Sequence, residues 1–329
     1  MVSEAVLVIT VLTITLVLEW IVLRLANRPH LLAEVNARSS HDTPTPTMGG
    51  VVIWAVGLTY LLLADAGPIH WLVGALTVMG LVGLWDDLRP LSARLRLFVQ
   101  LCAATAVVWW LDTSLPWPIL LLMIVGIGWF TNLFNFMDGI DGIAAAQCLT
   151  FCVSAQLLVG GVPGWMGELL WVTAASTLGF LAFNWPPAKI FMGDVGSGYL
   201  GLLIAIFVLY LWHSGQLPFI ASLILLAGFW FDATYTLCVR IVTRQSFTEA
   251  HRSHLYQRLA WRYGHLWTTS AFLIFALVWT LPMAWISIQY PSWAYVSLTL
   301  VVLPLGLLCF RYQAGRRIEN SMDNKSGNT

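Results

Sequence analysis

Apolar runs of about twenty residues recur along almost the whole chain, and each is long enough to cross a bilayer as a helix. Eleven such segments can be read: 4–25, 49–65, 69–85, 95–112, 117–134, 142–160, 165–183, 197–213, 217–239, 267–289 and 293–311. Only 10% of the residues are charged, against about 25% in soluble domains, so a soluble fold is excluded. The expectation is an all-α polytopic membrane protein.

The charges set the orientation. With the N-terminus outside, every basic residue falls in the cytoplasmic loops or tail, from Arg24, Arg28 and Arg38 through Lys189 to Arg316, Arg317 and Lys325. The opposite loops hold Glu4, Asp65, Asp112 and Glu168 and no basic residue. Such a partition predicts eleven spans with a cytoplasmic C-terminus, because one helix more or fewer would mix the two sets downstream. Residues 1–312 read as a single integral-membrane domain and 313–329 as a disordered tail. The N-terminus lacks a basic region and a cleavage site, so the first helix reads as retained. The five cysteines lie in apolar stretches and read as free thiols rather than zinc ligands or disulfides.

The chemistry gathers in the cytoplasmic loops. Asn132, Asn135, Asp138 and Asp141 recur every third residue, a spacing that would keep them on one slowly drifting face if the segment is helical. Amides and carboxylates with glycine beside each acid suit a hard cation and diphosphate chemistry. Asp86 and Asp87 end an apolar helix, where acids oppose the helix dipole and call for a compensating cation or the nearby arginines. A merely solvated acidic turn is the plainer alternative. Asp194 stands between Gly193 and Gly196 where a helix begins, as an N-cap or as part of an anion or metal site. The first loop carries Arg38, His41 and the Gly49–Gly50 pair; it is either a connector or a holder of an anionic substrate. The longest loop carries His251, Arg252 and His254, which suit diphosphate or nucleotide binding better than zinc. Asp232, inside an apolar segment, either lines a cavity or pairs with Arg240.

Together these motifs resemble the polyprenyl-phosphate N-acetylhexosamine-1-phosphate transferases (glycosyltransferase family 4). The resemblance runs from the Thr45–Gly50 stretch through the His251 loop. Asp86–Asp87 resembles the family's paired aspartates, and Arg94 falls where relatives often have lysine. Asn132 through Asp141 resembles its Asn/Asp motif, and Phe183–Ser197 the segment with its Mg2+-binding aspartate. His-Arg-Ser-His departs from the three histidines of the phospho-MurNAc-pentapeptide enzymes and is more similar to the group that initiates O-antigen or related glycans.

The resemblance implies transfer of an N-acetylated, in some members 6-deoxy, hexosamine-1-phosphate from a UDP-sugar to undecaprenyl phosphate, with release of UMP. It implies Mg2+, with Mn2+ as a substitute, at Asp194 and Asp87. Asp86, Asp138 and Asp141 would complete the catalytic set, with Asp86 available to take a proton from the lipid phosphate. Arg38, His41, Arg94, Asn132, Asn135, Asn184, Lys189, His251, Arg252 and His254 would bind substrate. The implied setting is the bacterial inner membrane, with the active site facing the cytoplasm. No nucleic-acid partner is expected, and a homodimer is left open. The alternatives are a pentapeptide transferase, a secondary transporter with intramembrane acids, and a lipid-binding scaffold.

The charge partition makes a direct prediction. A reporter fused after Thr329 should be active only on the cytoplasmic side, and a tag before Met1 should be accessible only from outside. Both ends on one side would break the eleven-span reading.

Overall fold

The computed structural model describes residues 3–25, 32–33, 45–111, 114–245 and 251–317. A helix occupies each of the eleven apolar segments. They are α1 (Glu4–Leu25), α2 (Gly50–Leu63), α3 (His70–Leu88), α4 (Ala93–Trp110), α5 (Trp117–Met137), α6 (Ile143–Val159), α7 (Gly164–Asn184), α8 (Gly193–His213), the pair α9 (Phe219–Leu225) and α10 (Ala227–Val242), the run α12 (His265–Ile274) to α13 (Leu281–Gln289), and α14 (Ala294–Arg311). One short amphipathic helix, α11 (Leu255–Tyr263), lies in the long loop before α12. Two two-residue strands, β1 (Leu32–Ala33) and β2 (Thr45–Pro46), pair antiparallel.

By length and composition, seven helices among the described residues can cross a membrane, or eight if α9 and α10 count as one span. α2 and α6 are apolar but short. α4 carries Arg94 and Arg96 near its start, which dilutes its apolar window.

Burial shows how the bundle is layered. The most apolar window of α8 is 89% buried and that of α1 only 17%. α8 is therefore the central post, in contact with α2, α3 and α5, while α1 lies outside against α7. Two close approaches set the position of its N-terminus. The backbone N–H groups of Gly49 and Gly50 donate to the carbonyls of Phe191 and Met192, at 3.0 and 2.9 Å. A Cβ on Gly83 of α3 would lie 2.5 Å from the Asp194 carbonyl oxygen, so α3 and α8 touch backbone to backbone.

Two expected spans are not regular helices. Segment 217–239 breaks at Leu226, and its two halves meet at 78°. Side chains take up carbonyls freed at the break: the Trp230 indole N–H donates to Leu223 and the Gln147 amide to Leu225. That satisfaction is what makes a break tolerable inside an apolar bundle. The 267–289 segment contains a π-helical stretch, Phe275–Thr280, just ahead of Pro282. A proline cannot donate to the preceding turn, and the wider turn accommodates its ring.

The packed chain also extends past residue 312. Ala314 is buried, and the Gly315 N–H donates to the Ser253 carbonyl at 2.7 Å.

Gly83→Ala should lower stability by about 1–3 kcal/mol, because its methyl has no room against α8. Gly74→Ala, on the same helix with nothing within 4 Å, is the control and should be neutral or stabilising. Thermal unfolding in detergent reads both; equal midpoints would show that the close approach is not needed.

Candidate active site

The site forms where the C-terminal ends of α3, α5 and α7 meet the N-terminal ends of α8 and α12. Asp87, at the end of α3, accepts the N–H of Asp194 at 2.7 Å and of Val195 at 3.0 Å, one on each carboxylate oxygen. These donors at the start of α8 have no partner within the helix. Gly193, at φ +73°, makes the approach possible, since a Cβ there would lie 2.6 Å from an Asp87 oxygen. Asp87 thus caps α8 and carries it to the end of α3.

Asp194 is held in turn. Asn135 donates its amide to the Asp194 carboxylate and to Ser197 Oγ, and Ser197 donates to the Gly193 carbonyl. Arg96 binds Asp86 at 2.7 Å and lies 3.7 Å from the other Asp194 oxygen. The remaining Asp86 oxygen accepts the Leu91 N–H at 2.6 Å, so the buried Asp86 is fully engaged in holding the α3–α4 turn. Of the arginines expected to compensate these acids, Arg96 does so, whereas Arg94 is exposed.

The four-residue Asn/Asp pattern does not lie on one helix. α5 ends at Met137, with Asp138 as its C-cap, and α6 starts at Ile143. Asn132 and Asn135 are helical, whereas Asp138 and Asp141 lie on the turn. Gly139 and Gly142 favour the break over a continued helix, and Gly142 takes a left-handed φ of +75°. The turn is pinned from three sides. Asn184 accepts the Gly142 N–H and donates to the Ile190 carbonyl. Asp141 accepts the Ala188 N–H at 3.0 Å, and its carbonyl accepts the Thr269 hydroxyl at 2.6 Å. The Asp141 carboxylate also lies 3.1 Å from Nδ1 of His265.

Together these residues line a cavity of about 310 Å³, with Asp87, Asp138, Asp141 and Asp194 on its wall beside Asn135, Asn184, Ser197 and His265. Burial, then the charges of Asp194, Asp87 and Asp141, push the Asp138 carboxyl up to about 7.

Other expected residues fall elsewhere. Asn132, Lys189, Arg94, His251, Arg252 and His254 do not line this cavity. Arg38 and His41 lie outside the described residues. His254 is buried at the start of α11, stacked between His251 and Tyr256. Burial first, then the neighbouring His254 and Arg240, push the His251 imidazole down to about 3. Asp232 accepts the N–H groups of Leu255 and Tyr256 at 2.8 and 2.9 Å, which makes it the cap of α11 rather than a cavity residue. Through that helix, the Tyr256 hydroxyl donates to the Phe136 carbonyl and braces the acidic turn.

The cavity's donor set is oxygen-rich and suits a hard cation. Among the described residues no group of three or more acids, histidines or cysteines stands at ligand spacing. One or two carboxylates with substrate phosphates completing the shell is how Mg2+ is commonly bound. Asp87, Asp138 and Asp194 all line the cavity and present the oxygens such a site would draw on.

A second cavity, of about 570 Å³ and almost wholly apolar, runs along α5 from Ile119 to Leu133 and is closed by α8 and the broken pair α9–α10. A multi-helix apolar body with an acidic cavity where helix ends meet and an apolar groove along two of the same helices has the form of a membrane protein that handles a polar and an apolar group together.

The comparisons agree. Residues 69–212 match the model of "Glycosyl transferase family 4". The chain is 33% identical over 278 residues to the "Probable undecaprenyl-phosphate N-acetylglucosaminyl 1-phosphate transferase" of Bacillus subtilis, covering 77% of this chain and 75% of that one. It is 31% identical over 220 residues to the "Decaprenyl-phosphate N-acetylglucosaminephosphotransferase" of Mycobacterium tuberculosis, 55% of this chain and 54% of that one. A "Phospho-N-acetylmuramoyl-pentapeptide-transferase" of Chlamydia muridarum is 31% identical over 223 residues, 55% of this chain and 65% of that one. The chain belongs to glycosyl transferase family 4, among its membrane-bound polyprenyl-phosphate sugar-phosphate transferases.

The raised Asp138 group makes stability depend on pH. The folded protein keeps a proton that the unfolded chain releases near about pH 4, so stability falls as pH rises from there through about 7. In metal-free protein, Asp138→Asn should lose less Tm than the wild type as pH rises from about 4 to 7. A wild-type Tm as flat as the variant's would show that the carboxylate is not under this strain.

Proposed function

We propose that this protein transfers an N-acetylated hexosamine-1-phosphate from a UDP-sugar to undecaprenyl phosphate, releases UMP, and so starts O-antigen or a related surface glycan. It would do so as an eleven-span protein of the bacterial inner membrane, with its acidic cavity facing the cytoplasm. The observation that carries this reading is the pairing of the two cavities. Both cavities are lined by α5 and α8: the apolar groove by Leu133 and Ala205, the acidic cavity by Asn135 and Asp194. The groove follows fourteen residue steps of α5, about 21 Å at the rise of a helix. A polyprenyl chain lying there would bring its phosphate to the acids.

Two anions must meet, so neutralising and positioning them is the main work. Mg2+ held by Asp194 with Asp138 would supply charge neutralisation of the diphosphate. This chain's own part is to fix the acids: Asn135 orients Asp194, Arg96 offsets its charge, and Asp87 sets the helix end that carries it. Direct attack by the lipid phosphate is the favoured course. The oxygens of Asp86 and Asp87 already accept hydrogen bonds or an ion pair, which leaves neither well placed as nucleophile or base. A phosphate monoester has a second pKa near about 6 and needs little help to lose its proton. The pentapeptide-type donor stays as a second reading because of the Chlamydia relative.

UMP release tests this, with purified protein, undecaprenyl phosphate, Mg2+ and a panel of UDP-sugars: GlcNAc, GalNAc, FucNAc, QuiNAc and MurNAc-pentapeptide. The expected outcome is lipid- and Mg2+-dependent release with one of the N-acetylhexosamines, abolished by Asp194→Asn. Release only with the pentapeptide donor would move the protein to the second reading. Near-normal activity of Asp194→Asn would sink the metal assignment.

A further inference from the structure

We infer that His265 binds the diphosphate of the donor, as a substrate-contacting residue that neither the motifs nor the family match singles out. The inference rests on the donor reading above and deepens it. His265 is the first residue of α12, far along the chain from the Asn/Asp motif, and it lines the acidic cavity. Among the described residues that line this cavity it is the only basic side chain.

Its geometry is that of a held ligand group. Nδ1 lies 3.1 Å from the Asp141 carboxylate, and the side chain remains 19% exposed. Nδ1 is turned to Asp141, whose backbone N–H also donates to it at 3.5 Å, which orients the imidazole and leaves Nε2 for a substrate. The pair is not required to hold the turn. Thr269 already ties α12 to the Asp141 carbonyl, and Ala188 ties the second carboxylate oxygen. The N-terminal end of α12 adds its own partial positive charge at the same place.

Electrostatics gives the ligand class. The wall facing His265 carries the carboxylates of Asp87, Asp138, Asp141 and Asp194. An anionic donor entering such a cavity needs positive charge beyond a single divalent ion. Of the other basic groups named for this role, those among the described residues, Arg94, Lys189, His251, Arg252 and His254, do not line the cavity. A diphosphate oxygen is the acceptor that fits an imidazole N–H presented by Asp141.

The experiment compares wild type, His265→Ala and His265→Gln as full chains in lipid nanodiscs. Gln keeps an N–H for Asp141 but carries no charge. Direct UDP binding with Mg2+ is measured beside the steady-state constants for the donor. Both variants should weaken UDP binding and raise donor KM by about tenfold or more, the range of a lost charge-assisted hydrogen bond. The effect on kcat should be smaller and Tm unchanged. Unaltered UDP affinity in both variants overturns the inference, as does a raised donor KM with unaltered UDP affinity, which would place His265 on the sugar. A fall in Tm matching the loss of affinity would make it a structural tie and also overturn it. UDP binding needs no turnover, so a wild type that binds UDP yet releases no UMP would fail the proposed reaction while leaving this test readable.

Discussion

One carboxylate at the end of one helix accepts the first free N–H groups of another, and the active end of the bundle depends on that joint. Asp87 supplies it for α8. A helix end buried without partners would leave donors unsatisfied at about 1–3 kcal/mol each. The helix dipole also favours negative charge there. Because Asp87 ends α3 and Gly83 lets α3 and α8 touch, Asp194 can stand in only a narrow range of positions. Asn135 on α5 then reaches its carboxylate, so that α3, α5 and α8 converge on Asp194.

The same device recurs on the other flank. Asp232 of α10 accepts the first N–H groups of α11, and α11 presses Tyr256 under the acidic turn. A Cβ on Gly139 would collide with the Tyr256 hydroxyl, so the glycine admits the brace. The His-rich stretch thereby acts on the cavity from behind. An ion path through the membrane, as in a transporter, would need Asp232 open to a channel; it is buried and committed to backbone.

Much of this was legible in the sequence. The helical segments follow from runs of apolar residues interrupted by Gly, Pro and charge, and the structure puts a helix in all eleven places. The acids were legible as a group, since carboxylates interrupting apolar sequence are costly and stand out. Their separate roles were not. A regular three-residue spacing read as one helical face, yet the turn after Met137 carries half of it. Arg96 was legible only as one of the arginines near Asp86, and His265 went unnamed because nothing local marks it: it gains meaning from an acid brought to it by folding.

Sequence by itself determined the membrane class, the helical segments and the cluster of acids near helix ends, because hydropathy and the cost of burying charge act residue by residue. Tertiary structure alone decided which acid is a cap, which is free to meet a ligand, and which helix breaks. A carboxylate has two oxygens, and whichever donors folding brings nearest take them. Asp87 and Asp194 are 107 residues apart, and Asp141 and His265 are 124 apart. No local pattern records such a meeting; only the packing of α3, α8 and α12 does.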